Sequence, residues 1–211
     1  MISKLFFDIL SPERKKILPH LRGFKDTFYL AGGTALALQL GHRDSVDFDF
    51  FTSKKFQTEE LFKKNQTSFP QSAIQKMQEE NGTLSVSINQ NIRLSFFYYP
   101  YKMISNFIDA DYFFLASLAD IGCMKLNAIT SRSLQKDYVD LYFILGEIPL
   151  ARLLDFASQK LPELDTNLIL KSLIYFADIQ EEPIVYKNDQ EVEFSKVKAF
   201  LIQETKKYSL P

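Results

Sequence analysis

The chain of 211 residues has no tryptophan, a single cysteine and only two histidines. One cysteine, Cys123, cannot close an internal disulfide, so a disulfide framework is excluded and a reducing, cytoplasmic setting is expected. Seven glycines and eight prolines are too few for a low-complexity or collagen-like chain. Net charge is −1, which argues against an indiscriminate polycationic binder of nucleic acid. Long apolar runs are missing too. The most apolar-leaning uncharged stretch, Thr27 to Gly41, carries three glycines, two threonines and a glutamine, short of the ~18–20 apolar residues of a membrane span. The first ten residues, MISKLFFDIL, place Asp8 where a secretory leader would have its apolar core.

What is present is ordinary globular composition, 46% apolar and 24% charged, with the aromatic load carried by 20 phenylalanines and 10 tyrosines. Charge divides the chain: residues 1–106 carry 14 Lys/Arg against 10 Asp/Glu, residues 107–211 carry 11 against 16. The pattern of apolar residues changes at the same place, from strands mixed with helices to mostly helices. Pro12 to Leu21 suits a helix, and Phe28 to Ala31 a short buried strand ending in two glycines. Thr34 is placed to cap the helix ALALQL, which stops at Gly41. In SVDFDFF, Val46, Phe48 and Phe50 alternate with Asp47 and Asp49, as on a strand. A helix over Thr58 to Lys64 and strands over Ala73 to Gln78, Leu84 to Ile88 and Ile92 to Tyr99 follow, with Asn81-Gly82 and Asn89-Gln90-Asn91 as hairpin turns. Beyond them, apolar periodicity predicts a long helix through Phe114, Leu115, Leu118, Ile121, Met124 and Leu126. Further helices are expected over Leu134 to Leu145, Pro149 to Lys160, Thr166 to Phe176 and Glu193 to Lys206.

Two local arrangements carry chemistry. Gly32-Gly33-Thr34 sits between a strand and a helix, where backbone can approach a ligand closely and the unpaired N–H groups of the helix favour an anion. Asp47 and Asp49 stand at i and i+2 on a strand, so they share one face roughly 6–7 Å apart. Their repulsion is relieved by a divalent cation, and hard carboxylate oxygens suit Mg²⁺ (or Mn²⁺), which also binds phosphate oxygens. Each arrangement alone is commonplace: two glycines make a turn, and Asp-x-Asp makes a solvated strand face. In this order and at this spacing they describe a site for a nucleoside triphosphate (NTP).

The stretch GGTALALQLGHRDSVDFDFF resembles the first motif of the AbiEii/AbiGii toxin nucleotidyltransferases, a branch of the DNA polymerase β-like superfamily. The matching positions are Gly32, Gly33, Thr34, Arg43, Ser45, Asp47 and Asp49. KLNAITSRSLQKDYVDLYFIL is similar to that family's second signature at Lys125, Arg132, Lys136, Asp137 and Asp140. On the residues alone, Asp137 and Asp140 fall off the apolar stripe of their helix and are expected to be exposed or to line a cleft. The resemblance implies an α/β (α+β) nucleotidyltransferase core over residues 1–106, with a small mixed sheet flanked by helices. A C-terminal helical lobe over residues 107–211 would complete the active cleft. It implies Asp47 and Asp49 as catalytic metal ligands, with Gly32, Gly33, Thr34, Arg132, Lys136 and Asp140 at the nucleotide, and Asp137 and Asp140 completing the active cleft or ordering it. The implied reaction moves a nucleotide from an NTP to a hydroxyl acceptor such as tRNA or another RNA, in the toxin of a toxin–antitoxin or phage-defence pair with a cognate antitoxin. No membrane partner is implied, and the base of the NTP is left open.

The chain departs from the superfamily pattern at a third carboxylate, usual on a neighbouring strand. Ile92 to Tyr99 has no acid, and Ser95 or Phe97 stands in that place. Asp137 is the candidate to supply it from the helical half. A nucleotide-binding module acting through a protein partner therefore stands beside the transferase, and a phosphotransferase is a third reading because the folds of the two chemistries overlap. His42 is read as a loop histidine without a role, His20 as an ordinary helix residue and Cys123 as a buried small residue. Tyr98, Tyr99 and Tyr101 could stack on a base, though packing is the simpler reading.

Overall fold

The computed structural model describes residues 5–209. Residues 1–4, part of the segment weighed above as a leader, lie outside the described residues. Helices α1 (Pro12–Leu21), α2 (Gly32–Leu40) and α3 (Thr58–Ser68) alternate with strands β1 (Tyr29–Ala31), β2 (Phe48–Thr52), β3 (Ile74–Glu80), β4 (Thr83–Ile88) and β5 (Ile92–Tyr98). Two short strands, β6 (Ile108–Asp109) and β7 (Phe114–Leu115), precede helices α4 (Leu118–Ser131), α5 (Gln135–Glu147), α6 (Leu150–Lys160), α7 (Thr166–Ile174) and α8 (Phe194–Ser209). All seven strands form one mixed sheet in the order β3-β4-β5-β2-β1-β7-β6. β2 runs antiparallel to β1 and parallel to β5, while β1 runs parallel to β7.

Alternation along β2 produces two unlike faces. Phe48, Phe50 and Thr52 are buried, whereas Asp49 and Phe51 are only half-buried. On the buried face, Phe50 and Phe96 stack with ring centroids 5.4 Å apart, and Phe24 and Phe28 close on Phe96 at 5.2 and 5.1 Å. Phenylalanine here supplies the bulk that tryptophan provides in many cores. The two hairpin turns form as expected: Gly82 takes φ +76° in the two-residue loop between Glu80 and Thr83, and Asn89 and Gln90 take φ +50° and +63° in the three-residue loop between the paired Ile88 and Ile92.

Four expectations are corrected. Phe114 and Leu115 are not the start of the long helix. They pair with Tyr29 and Leu30, and the helix begins at Leu118 behind a Ser117 cap whose hydroxyl accepts from the Asp120 N–H. β6 and β7, both beyond residue 106, thus belong to the sheet of the first half. Thr34 does not cap α2, which begins at Gly32 after Ala31. The strand opens at Phe48, and Val46, expected to point inward, is 61% exposed. Among the described residues no helix is long and apolar enough to cross a membrane.

Helix α2 ends at Gly41, which takes φ +68° in a left-handed cap. A Cβ there would lie 2.8 Å from Phe6 and from the Asn188 amide. Gly41→Ala should therefore lower unfolding stability by about 1–2 kcal/mol or more, read as a shift in urea midpoint without a change in slope.

Candidate active site

A cavity of about 540 Å³ opens where β1 runs into α2. Gly32 and Gly33, Asp47 and Asp49, Arg93 and Ser95 of β5, Lys125 of α4, Arg132 just past its end, and Lys136 of α5 all line it. Gly32 takes φ +68°, and a Cβ on it would come within 3.0 Å of an Asp49 carboxylate oxygen. Only glycine allows backbone and carboxylate to meet this closely. Register explains the meeting: Ala31, one residue before Gly32, pairs with Asp49, and Ser95 pairs with Asp49 from the other side.

Burial, and then the charge of Asp47, push the Asp49 carboxyl up to about 6, against the pull of Lys125, Arg93 and Arg132. A carboxylate held this way is a poor anion on the bare chain. It is suited to a cation.

The loop carrying Asp47 is fixed from several directions. Arg14 of α1 reaches the Asp44 carboxylate at 2.7 and 3.0 Å and donates to the Ser45 carbonyl. The Thr34 hydroxyl lies 3.0 Å from the Ser45 hydroxyl and donates to the Asp47 carbonyl. Thr34 is 1% exposed and does not line the cavity, so the expectation that it contacts nucleotide is corrected to one of loop support. The loop is also tied to a distant strap. The Asp44 N–H donates to the Val185 carbonyl and the Lys187 N–H to the His42 carbonyl, at 2.8 and 3.0 Å.

Asp137 and Asp140 lie elsewhere than their helix periodicity suggested. Both are fully buried, and neither lines the cavity. Asp140 accepts two bonds from Arg43, each 2.7 Å, and sits 2.5 Å from Lys125 Nζ. His42 Nε2 is 2.9 Å from the same carboxylate. Burial drives the His42 pKa down, so the neutral ring donates through Nε2–H. Burial also opposes the charge on Asp140, but Arg43 and Lys125 outweigh it and hold the carboxyl well below its ordinary range. Asp137 pairs with Lys125 at 2.6 Å and with Arg132 at 2.9 Å, and these cations overcome its burial to keep it ionised. The expected cleft-lining position of Asp137, and with it its candidacy as the third carboxylate beside Asp47 and Asp49, is thereby corrected, as is nucleotide contact by Asp140. Both carboxylates are spent on buried ion pairs that position Arg43, Lys125 and Arg132.

Lys136 lines the cavity and pairs with Glu182 at 2.8 Å. His42, expected to be idle, is buried in the cluster, and Cys123 is buried as expected, its thiol pushed up to about 12 by burial. Tyr99 packs its ring on Tyr101, with centroids 4.7 Å apart. Arg14, Arg93 and Glu182 were not singled out in the sequence. Arg93 alone left a signal there, since it alternates with Ser95 and Phe97 along its strand. Among the described residues, no group of three or more His, Cys, Asp or Glu side chains is placed to hold a metal.

Strand register and cavity together define a nucleotidyltransferase fold. Over 92% of this chain and 80% of the other, it superposes on MenT4, a nucleotidyltransferase toxin of Mycobacterium tuberculosis H37Rv, with a TM-score of 0.59 at 15% identity. JHP933 from Helicobacter pylori matches with a TM-score of 0.56 at 19% identity, covering 96% and 92% of the two chains. An uncharacterised protein of Aquifex aeolicus (strain VF5) is 36% identical over 192 residues, 88% of this chain and 90% of that one. Residues 16–206 match the family described as "Nucleotidyl transferase AbiEii toxin, Type IV TA system", and the chain belongs to that family.

Two outcomes follow from the buried charges. Asp140→Asn leaves Arg43 and Lys125 without their shared anion and should cost about 3–5 kcal/mol in urea unfolding. For Asp49, a folded pKa of about 6 lies above the unfolded value, so its contribution to stability is lost as pH rises towards 6 and stays lost above it. Asp49→Asn should therefore stabilise the metal-free protein by roughly 1–3 kcal/mol at pH 8 and much less at pH 4, as read by thermal melts at both pH values.

Proposed function

We propose that this protein is a magnesium-dependent nucleotidyltransferase toxin that moves a nucleotide from an NTP to the hydroxyl of an RNA acceptor such as tRNA. The observation that carries the reading is the approach of Gly32 backbone to the Asp49 carboxylate in a cavity ringed by cations. Asp47 and Asp49 offer hard oxygens, and Asp49 is buried beside a second carboxylate, so the donor set fits Mg²⁺ or Mn²⁺. When bound, the ion would polarise the α-phosphate and lower the pKa of the attacking hydroxyl. The chain's own residues do the rest. The first N–H groups of α2, at Gly32 and Gly33, and the cations Arg132 and Lys136 receive the triphosphate. Lys125, held by Asp137 and Asp140, adds fixed positive charge beside Asp49. The acceptor hydroxyl gives up its proton to solvent, its oxygen bonds to the α-phosphorus while the bond to pyrophosphate breaks, and pyrophosphate leaves. The helical half, through α4, completes the cleft. As a member of a toxin–antitoxin family, the protein is expected to have an antitoxin partner.

A second reading, nucleotide binding with little turnover, draws on Ser95. It stands beside Asp49 in the register, and its hydroxyl is bonded to Ser85 at 3.1 Å.

Incubation with Mg²⁺, each α-³²P NTP and total tRNA decides between them. Transfer of label to RNA is expected, with a loss of about 100-fold or more in Asp47→Ala and in Asp49→Ala. Tight NTP binding without label supports the second reading, and label from γ-³²P NTP alone indicates phosphotransfer. Mg²⁺ should also raise the melting temperature of the wild type at pH 8 and leave both variants unmoved.

A further inference from the structure

The cavity floor changes character along the strands. Asp47 and Arg93 each precede by two residues the adjacent pair Asp49 and Ser95, and Phe51 and Phe97 each follow by two. Phe51 and Phe97 are direct partners across β2 and β5. They line the cavity half-buried, their rings stacked at 5.1 Å and 29°. One strand step of two residues, roughly 6.6–7 Å, separates this aromatic pair from the carboxylate. A ribose fills a gap of that size.

The roof changes in the same direction. Along the cavity-facing side of α4, Ile121 and Met124 come first, then Lys125, with Arg132 just past the end of the helix. Lys125 shares the Asp140 carboxylate with Arg43, and the Arg43 guanidinium lies 2.8 Å from where a Cβ on Gly33 would stand, at the carboxylate end of the cavity. Asp120, in the first turn of α4, pairs instead with Lys160 at 2.8 Å, the Lys160 Nζ lies 5.6 Å from the Tyr99 ring centroid, and the Tyr99 ring packs on Phe51. The helix therefore runs counter to β2 and β5. Its Lys125 end lies toward the carboxylates and its first turns toward the two phenylalanines, all lining one cavity.

Resting on the reading of the site as an NTP site, we infer that Phe97 and Phe51, covered by Met124, form the subsite for the nucleobase of the incoming NTP. A base there stacks on the Phe97 face and meets the Met124 thioether from above. Phe51, Phe97, Ile121 and Met124 have no N–H or O–H to offer, and the thioether is only a weak acceptor. These side chains hold the base by its flat face and do not read its edge. The four NTPs are thus bound with affinities within a few-fold of one another.

Calorimetric titration of the full chain in Mg²⁺ with ATP, GTP, CTP, UTP and inorganic tripolyphosphate tests this. Phe97→Ala should weaken every NTP by about tenfold, the loss that ~1.4 kcal/mol of stacking gives, and leave tripolyphosphate affinity unchanged. Phe97→Leu, which keeps apolar volume and guards against misfolding, should lose less, and Phe97→Tyr should bind as the wild type does. Equal loss for tripolyphosphate and NTP, or a preference above 50-fold for one base, overturns the subsite while the NTP reading stands. So does an unchanged NTP affinity with a raised KM for RNA, which would assign the stacked base to the acceptor. If the wild type binds neither NTP nor tripolyphosphate, both readings fall.

Discussion

A single buried carboxylate organises the site. Asp140 gathers Arg43, Lys125 and His42 from the loop after α2 and from α4. Such a cluster is costly to bury, and its cations balance its anions only while the partners stay together. That condition fixes three things at once: the loop that ends in Asp47, the helix that roofs the cavity, and the relation between the two. Hydrogen bonds from Arg14 and Thr34 to the same loop then restrict it to one course.

The arrangement separates support from chemistry. Groups that look reactive in the sequence, Asp137 and Asp140 above all, have no free oxygen facing the cavity. The residues they hold do face it: Lys125 and Arg132 present charge to Asp49 with their geometry already set. Preorganised charge of this sort is worth more than the same charge on a mobile side chain, since little reorganisation remains when a ligand arrives. Glu182 is the exception, an acid on the strap that occupies Lys136 at the cavity edge.

How much of this could be read from residues alone depends on range. Gly32, Gly33, Asp47 and Asp49 were legible because their meaning is local: a glycine pair between strand and helix, and two acids one pleat apart. Most helices and the two hairpins were legible for the same reason. Asp137 and Asp140 were misplaced because periodicity shows which side of a helix is apolar and cannot show what covers the other side. Here the cover comes from Arg43, 97 residues away in sequence. β7 was hidden inside an apolar run that also suited a helix, and only pairing with β1 makes Phe114 and Leu115 a strand. The Thr34 hydroxyl was assigned to a ligand when its partner was the backbone of its own loop. Arg93 became meaningful only once register set β5 beside β2.

The enclosed position of Cys123 has a practical use. A thiol with no exposure, held at about 12, reacts sluggishly with maleimides and iodoacetamides at neutral pH. A cysteine introduced on the outer face of α8, or on the exposed strap at Val185, would then be the one readily alkylated sulfur among the described residues. Fluorophores or spin labels could be attached there to follow nucleotide or RNA arrival without first removing the native thiol from its packed place.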